Sequence, residues 1–106
     1  MFHLAIQRLQ GSVVKVESNP NYTVIVIALN RQDNSSDFRV FVHGKSKNEI
    51  MFLCKKTDSV MVEANTVQND KGIFFNINNL NQINIFPQTG TNELHKRFQT
   101  LNQAGI

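Results

Sequence analysis

The stretch DFRVFVHGKSKNEIMFL, residues 37–53, changes its hydrophobic periodicity at Gly44 and thereby decides the fold. From Asp37 to His43 the apolar residues alternate with a period of two, which predicts a β-strand. One face carries Phe38, Val40 and Val42, and the other carries Arg39, Phe41 and His43. The first set is an ordinary core face. The second offers a cation, a phenyl ring and an imidazole to solvent, which is unusual enough to suggest a binding surface.

A helix is predicted to follow Gly44. Ser46 and Glu49 have the spacing of a capping box, with Ser46 as the N-cap. The apolar stripe behind them consists of Ile50, Leu53 and Cys54. Lys55 and Lys56 come at the predicted C-terminal end of the helix, where the helix dipole favours cations. These two lysines could stabilise the end of the helix or contact DNA, and the sequence does not decide between the two roles.

Two strands are predicted before residue 37. The first is long, covers residues 2–17, and is expected to bulge or bend at Gly11, because glycine tolerates such geometry. A turn of composition Ser-Asn-Pro-Asn follows at residues 18–21. The second strand, residues 22–31, is apolar on both faces and is therefore expected at the centre of the sheet.

The second half of the chain predicts a hairpin, a short strand and a C-terminal helix. Asn-Asp-Lys-Gly at residues 69–72 is a hairpin turn signal between strands at 59–67 and 73–77. Residues 83–86 either finish the second of these strands or form a sixth, and residues 92–101 suit a short helix. Residues expected to face the core are Val60, Val62, Ala64, Ile73, Ile77, Leu94 and Leu101, together with Phe38, Phe52, Phe75 and Phe98.

The order of three strands, a helix and two or three further strands is that of the OB-fold, a small Greek-key barrel in the mainly all-β class. In that fold the helix between the third and fourth strands plugs the barrel. An open sheet with the helix on one face has a similar periodicity and stays an alternative. We expect one domain, with the barrel in residues 1–90 and a helical tail in residues 91–106.

The segment FRVFVHGKSKNEIMFLCKKTDSVMVEA resembles the bacterial and phage single-stranded DNA-binding (SSB) proteins. Gly44-Lys45 matches the end of that family's third strand, and residues 56–64 resemble its later Lys-Gly-x-Val-x-Val-x-Gly stretch. Thr57 or Asp58 stands where glycine is usual, and Ala64 replaces the later glycine. Because no Gly-rich acidic tail and no Trp occur, the resemblance implies a short tailless form, of the primosomal PriB-like or the phage and plasmid type.

The resemblance implies that the outward face of the third strand meets DNA. His43 falls where the family commonly has a stacking aromatic residue, and Phe41 and Arg39 lie on the same face. Single strands bind through stacking of bases on aromatic rings and through cations along the phosphates. The alternative for Phe41 is packing beneath the C-terminal helix or in a subunit interface.

Further binding candidates lie elsewhere in the chain. Phe74 is a second stacking candidate, with hairpin packing in a dimer as its alternative. Tyr22 suits a wet interface but could equally cap the core. Lys15, Arg31, Lys45 and Lys71 are candidate phosphate contacts, although any one of them could be a solvated surface charge.

Composition limits the classes of function. The chain has 106 residues, a net charge of +3 and a single cysteine, so it cannot form an internal disulfide; this favours a cytoplasmic protein. The N-terminus does not fit a signal peptide, and the longest apolar run, Val24–Leu29, is too short to span a bilayer. The three histidines and Cys54 show no zinc spacing, and no phosphate loop or nucleophile motif occurs. We therefore expect no enzymatic activity, cofactor, metal, membrane or small-molecule substrate.

The sequence thus predicts an OB-fold protein that binds single-stranded DNA without strong sequence preference, in replication, recombination or mobile-element maintenance. RNA stays open as a ligand. The alternative is an OB-fold protein-interaction subunit of a replication or conjugation assembly. A homo-oligomer, a dimer or a tetramer, is expected from the SSB resemblance and because the second strand carries more apolar residues than one buried face requires.

Overall fold

Six strands and two helices form the part of the chain that the computed structural model describes, residues 2–29 and 37–105. In chain order they are β1 (Phe2–Ser18), β2 (Thr23–Leu29), β3 (Phe38–Val42), α1 (Ser46–Leu53), β4 (Ser59–Asn69), β5 (Gly72–Ile77), a 3₁₀ turn (Leu80–Gln82), β6 (Ile83–Phe86) and α2 (Thr91–Gln103).

The strands close into a barrel. Neighbouring strands follow the order β1-β2-β3-β5-β4, and β1 also pairs with β4, so that the sheet closes on itself. All these pairs are antiparallel except β3–β5, which is parallel. β6 pairs with β4 as a sixth strand. The predicted OB-fold is confirmed, and the open sheet is wrong.

The long strand β1 joins the two halves of the barrel. Its first part pairs with β4 and its last part with β2, and Gly11 has a partner in both strands. A Cβ atom on Gly11 would lie 2.2 Å from the carbonyl oxygen of Ala28, so a side chain does not fit there. The nearest register shift lies between Val13 and Lys15. The irregularity predicted near Gly11 is therefore a register shift just beyond it, and Gly11 itself lies where β1 and β2 approach each other closely.

The inward faces of the strands form one core. Strand β2 lies between β1 and β3, and Val24, Ile25, Val26 and Ile27 are all buried, as expected for a central strand. The other buried apolar residues include Val40 and Val42 of β3, Ile50, Leu53 and Cys54 of the α1 region, and Val60, Val62 and Ala64 of β4. Burial of Val24 and Val26 within a single chain removes one of the two reasons for predicting an oligomer and leaves the SSB resemblance as the other.

Two residues assigned to the core are exposed. Ile73 is 56% exposed, because it follows the β4–β5 turn, beyond the part of the hairpin that covers the core. Phe98 is 40% exposed on α2, although Leu101 of the same helix is buried. Phe38, Phe52 and Phe75 are partly buried against the core.

Helix α1 begins differently from the prediction. Lys45 occupies the N-cap position without a side-chain cap, and Ser46 is already helical. The Ser46 hydroxyl donates to the carbonyl oxygen of Asn78, at 3.2 Å, so the predicted capping box is wrong. After the helix, Lys55 Nζ donates to the Met51 carbonyl at 3.0 Å, which is a helix-end contact.

Helix α2 is held against the rest of the protein by a buried ion pair. Arg97 donates through both terminal nitrogens to the carboxylate of Asp58, which is buried, and through Nη1 to the carbonyl oxygen of Leu53 at 3.0 Å. Arg97 Nε also donates to Glu93 at 2.9 Å. The hydrogen bond with Asp58 raises the pKa of Arg97. Burial and bidentate geometry make this pair a specific attachment point for α2.

Thr57 adopts a backbone conformation that favours glycine. Its φ angle is 78°, in the left-handed region where a β-branched residue is strained. The Thr57 N–H donates to the Val13 carbonyl at 2.9 Å, and Val13 N–H donates to the Asp58 carbonyl at 2.8 Å. These bonds to β1 hold the turn in place. Either Thr57 or Asp58 stands at a position where the SSB resemblance expects glycine.

Candidate nucleic-acid interface

The candidate interface lies on the outward face of β2, β3 and β5. Phe41 pairs with Val24 of β2 on one side and with Asn76 of β5 on the other, so these three side chains point outward together. Phe74 lies two residues before Asn76 and shares that face. Val40 and Val42 point inward and are buried, which confirms the predicted register of β3.

Four rings follow one another across this face. The ring centroids of Tyr22 and Phe41 are 5.2 Å apart at 73°, and those of Phe41 and Phe74 are 6.0 Å apart at 71°. Tyr22 and His43 are 6.2 Å apart at 60°. All three pairs meet edge to face, which is the favourable geometry for neighbouring rings. The rings are half-buried, so each keeps part of its surface open to a ligand.

The rings border a groove of about 410 Å³ whose floor carries no acidic, lysine or arginine side chain among the described residues. Its other lining residues are Val67, Asn69, Asn76 and Asn78. Apolar rings and uncharged amides suit a nucleobase better than a phosphate, because phosphate contacts come from cations and N–H donors at an exposed surface.

Hydrogen bonds fix three of the groove's polar side chains. His43 Nε2 and Asn76 Oδ1 are 2.8 Å apart. The Oδ1 atom of Asn69 accepts a hydrogen bond from the backbone N–H of Lys71, also at 2.8 Å. The backbone N–H of His43 donates to the Ile77 carbonyl at 3.0 Å and so continues the β3–β5 ladder past the end of β3.

A second groove, of about 270 Å³, lies on the other side of the Phe41–Phe74 pair. Both rings line it, together with Asp37, Phe38, Arg39, Ile73 and Phe75. The two grooves share Phe41 and Phe74 and form a continuous apolar path across the face.

Two cationic side chains, Arg39 and Lys15, lie on the two strands that flank β2. Arg39 is exposed beside the second groove and pairs with Val26, which in turn pairs with Lys15 of β1. Lys15 Nζ lies 3.0 Å from Glu17 Oε1. The hydrogen bond and charge of Lys15 lower the pKa of the Glu17 carboxyl. Lys15 is therefore partly neutralised by its neighbour, whereas no described salt bridge involves Arg39.

The remaining predicted site residues are more dispersed. Lys71 is exposed in the β4–β5 turn, and Lys45 is exposed in the turn before α1. Arg31 lies outside the described residues. Lys71 contributes its backbone N–H to the groove through Asn69.

The structure thus gathers the predicted aromatic residues and adds residues that the sequence reasoning missed. Tyr22, Phe41, His43 and Phe74 line a single groove. In the described contacts, α2 packs against α1 and β6, so Phe41 does not lie beneath it. The missed residues are the amides Asn69, Asn76 and Asn78. The period of two from Phe74 places residues 76 and 78 on the same face, a signal that could have found two of them.

The described residues form neither a metal-binding cluster nor a reactive thiol site. No three His, Cys, Asp or Glu side chains gather in the described ranges as a metal site. Burial, and secondarily the charge of Asp58, raise the pKa of the Cys54 thiol to about 12, so this thiol is protonated at neutral pH. None of the described helices has both the length and the hydropathy needed to cross a membrane.

Comparison with known proteins finds a likeness among solved structures but none in sequence. No protein-family model matches the chain, and no curated protein matches it in sequence. The chain is similar to the crystal structure of Schizosaccharomyces pombe Pot1pC bound to ssDNA (CGGTTACGGT), with a TM-score of 0.60 and 9% identity. The match covers 95% of this chain and 94% of that one. The likeness therefore extends over nearly all of both chains and shows a shared fold.

Proposed function

We propose that this protein binds single-stranded DNA, without strong sequence preference, across the outward face of β2, β3 and β5. The observation that carries the proposal is the succession of four rings along an uncharged groove, at Tyr22, Phe41, His43 and Phe74. Stacking of a base on an aromatic side chain contributes about 1–3 kcal/mol and tolerates every base, since each has a π-face.

Cations beside the rings supply the contacts to phosphates in this proposal. Arg39 is the principal one, because it is exposed next to the second groove and the described salt bridges leave it unpaired. Lys45 and Lys71 are exposed in turns outside the lining of the two grooves, Lys15 contributes less because of Glu17, and Arg31 is included from the sequence. The ssDNA-bound structural neighbour supports the choice of ligand.

The biological process is proposed from the SSB resemblance of residues 37–64. Single-strand binding in replication, recombination or mobile-element maintenance fits that resemblance. A homo-oligomer, most simply a dimer, stays a prediction that light scattering at micromolar concentration tests. A monomer in that measurement would overturn it.

The second candidate function is a protein-interaction subunit of a replication or conjugation assembly. It is favoured by a separate apolar groove of about 310 Å³ between β6 and α2. Phe86 is 52% exposed and Phe98 is 40% exposed at this groove, and neither lines the aromatic groove. Exposed apolar surface of this kind marks sites of protein contact.

Titration of labelled oligo-dT by fluorescence anisotropy distinguishes the two functions. We expect saturable binding that weakens with salt, with a log–log slope of about −0.7 for each phosphate contact to a single strand. A duplex of the same length is the control and should bind more weakly, because its bases are not available for stacking. Absence of oligo-dT binding at low salt would overturn the proposal and leave the protein-interaction function.

A further inference from the structure

Two of the asparagines in the aromatic groove have their amide oxygens occupied by the protein. Asn69 Oδ1 accepts from the backbone N–H of Lys71, and Asn76 Oδ1 lies 2.8 Å from His43 Nε2. An amide oxygen is an acceptor, so the Nε2 atom of His43 carries the proton in this contact. Both side chains are thereby held in one orientation.

The same contacts leave the two Nδ2 groups as the amide atoms available to a ligand. Within residues 2–29 and 37–105, neither Nδ2 group donates to a protein atom. An N–H donor in an apolar-walled groove loses free energy when a ligand covers it without offering an acceptor. The groove therefore places two fixed donors, at Asn69 and Asn76, beside the rings that would stack the bases.

We infer that the groove discriminates among bases and favours thymine and guanine, with a keto oxygen at O4 or O6, over cytosine and adenine, with an amine at N4 or N6. This inference rests on the proposed function and adds a preference to it. The O4 atom of thymine and the O6 atom of guanine are acceptors, whereas the N4 amine of cytosine and the N6 amine of adenine are donors. An amine facing Asn69 or Asn76 would set donor against donor. Stacking alone does not make this distinction.

The wild-type test compares oligo-dT with an oligomer of 5-methyl-deoxycytidine of equal length, at mildly alkaline pH. The two bases have the same ring size and the same methyl group, and they differ at position 4 and in the protonation of N3. We expect oligo-dT to bind about threefold to tenfold more tightly, the factor for one neutral hydrogen bond gained or lost.

Three variants then test whether Asn69 and Asn76 cause the preference for oligo-dT. Asn76→Asp keeps an oxygen for His43 and replaces the Nδ2 donor with an acceptor, and Asn69→Asp does the same for Lys71. The matched control is Asn65→Asp, because Asn65 pairs with Asn76 across β4 and β5 but does not line the groove. Each of the three variants adds one negative charge to this face. The loss of affinity that this charge causes should therefore be similar in all three.

The readout is the ratio of the two affinities in variants whose thermal unfolding matches the wild type. We expect the ratio to fall to one or below in Asn76→Asp or Asn69→Asp and to be preserved in Asn65→Asp. Equal wild-type binding of both oligomers would overturn the inference and leave the proposed function intact. A preference that survives both groove variants would overturn it as well. Failure to bind either oligomer would overturn both the inference and the proposed function.

Discussion

Phe41→Ala tests the stacking surface most directly. Phe41 lies between Tyr22 and Phe74 and lines both grooves, so its removal takes away the ring at the centre of the path. Loss of one stacked base should weaken oligo-dT binding by about 1–3 kcal/mol, a factor of about 5 to 150.

The same substitution should also cost some stability. Phe41 makes two edge-to-face contacts, each worth about 0.5–1.5 kcal/mol beyond burial, so the free energy of unfolding should fall by about 1–3 kcal/mol. The fold should persist, because Val40 and Val42 face the core independently of Phe41. The circular dichroism spectrum should therefore match that of the wild type.

Binding is measured by anisotropy of labelled oligo-dT at low salt, and stability by urea unfolding of the same preparation. Phe86→Ala is the matched control, because Phe86 is an exposed phenylalanine on β6 and lines neither aromatic groove. Its oligo-dT affinity should equal that of the wild type. Wild-type affinity in a folded Phe41→Ala protein would refute stacking on β3, and an equal loss in Phe86→Ala would show that the effect is not local.

Three further substitutions test the cation, the strained turn and the buried ion pair. Arg39→Ala should weaken binding to all sequences alike and reduce the magnitude of the log–log salt slope by about 0.7, and an unchanged slope would exclude a phosphate contact. Thr57→Gly should raise the free energy of unfolding by about 1 kcal/mol, since relief of left-handed strain, about 1–3 kcal/mol, exceeds the added entropy of glycine. A destabilised Thr57→Gly protein in urea unfolding would contradict that reasoning. Arg97→Met should lower the free energy of unfolding by about 3 kcal/mol, because Asp58 would stay buried without its partner. The exposed neighbour provides the control: Lys96→Met should change stability by less than about 0.5 kcal/mol, and similar losses in both variants would refute the role of the ion pair.

The order of strands and helices along the chain was predictable because the sequence signals it locally, whereas periodicity did not distinguish a closed barrel from an open sheet. The period of two in residues 37–43 ends at Gly44, and the Asn-Asp-Lys-Gly turn at 69–72 joins β4 to β5 through Asp70 and Lys71. Apolar residues on both faces of β2 indicated a strand with neighbours on each side. These signals rest on backbone geometry and burial, which act over a few residues.

The errors arise where distant parts of the chain decide the outcome. Ile73 continues the inward period of β5, but its position next to the hairpin turn leaves no core beneath it. Ser46 has the spacing of an N-cap, yet its hydroxyl bonds to Asn78, which lies 32 positions along the chain. At Gly11 the sequence does not show the carbonyl oxygen of Ala28, which excludes a side chain there. None of these partners can be inferred from local periodicity.

The sequence allowed the aromatic residues of the candidate site to be predicted, but not its asparagines. Phe41 and Phe74 stand out in the sequence because an aromatic residue on an outward face is unusual. Asn69 and Asn76 do not, since asparagine on the solvent side of a strand has many uses. The role inferred for Asn76 depends on the parallel pairing of β3 with β5, which brings Asn76 opposite Phe41 from 35 positions away. A parallel pair needs a long crossover, so its register is not written in either strand alone.

The outward face of β3 combines three residues whose surroundings divide the work of binding. Arg39 is exposed beside the second groove, where a phosphate stays hydrated and a cation keeps its charge in water. Phe41 is half-buried between two rings, and in the proposed function it would stack a base. His43 is hydrogen-bonded to Asn76, and this bond would hold that amide beside the base. A strand that alternates a core residue with a ligand-facing residue can present all three within five positions, because every second side chain points the same way. In the proposed function, this geometry lets a barrel whose interior is filled present a cation, a ring and an imidazole to one ligand on its outward face.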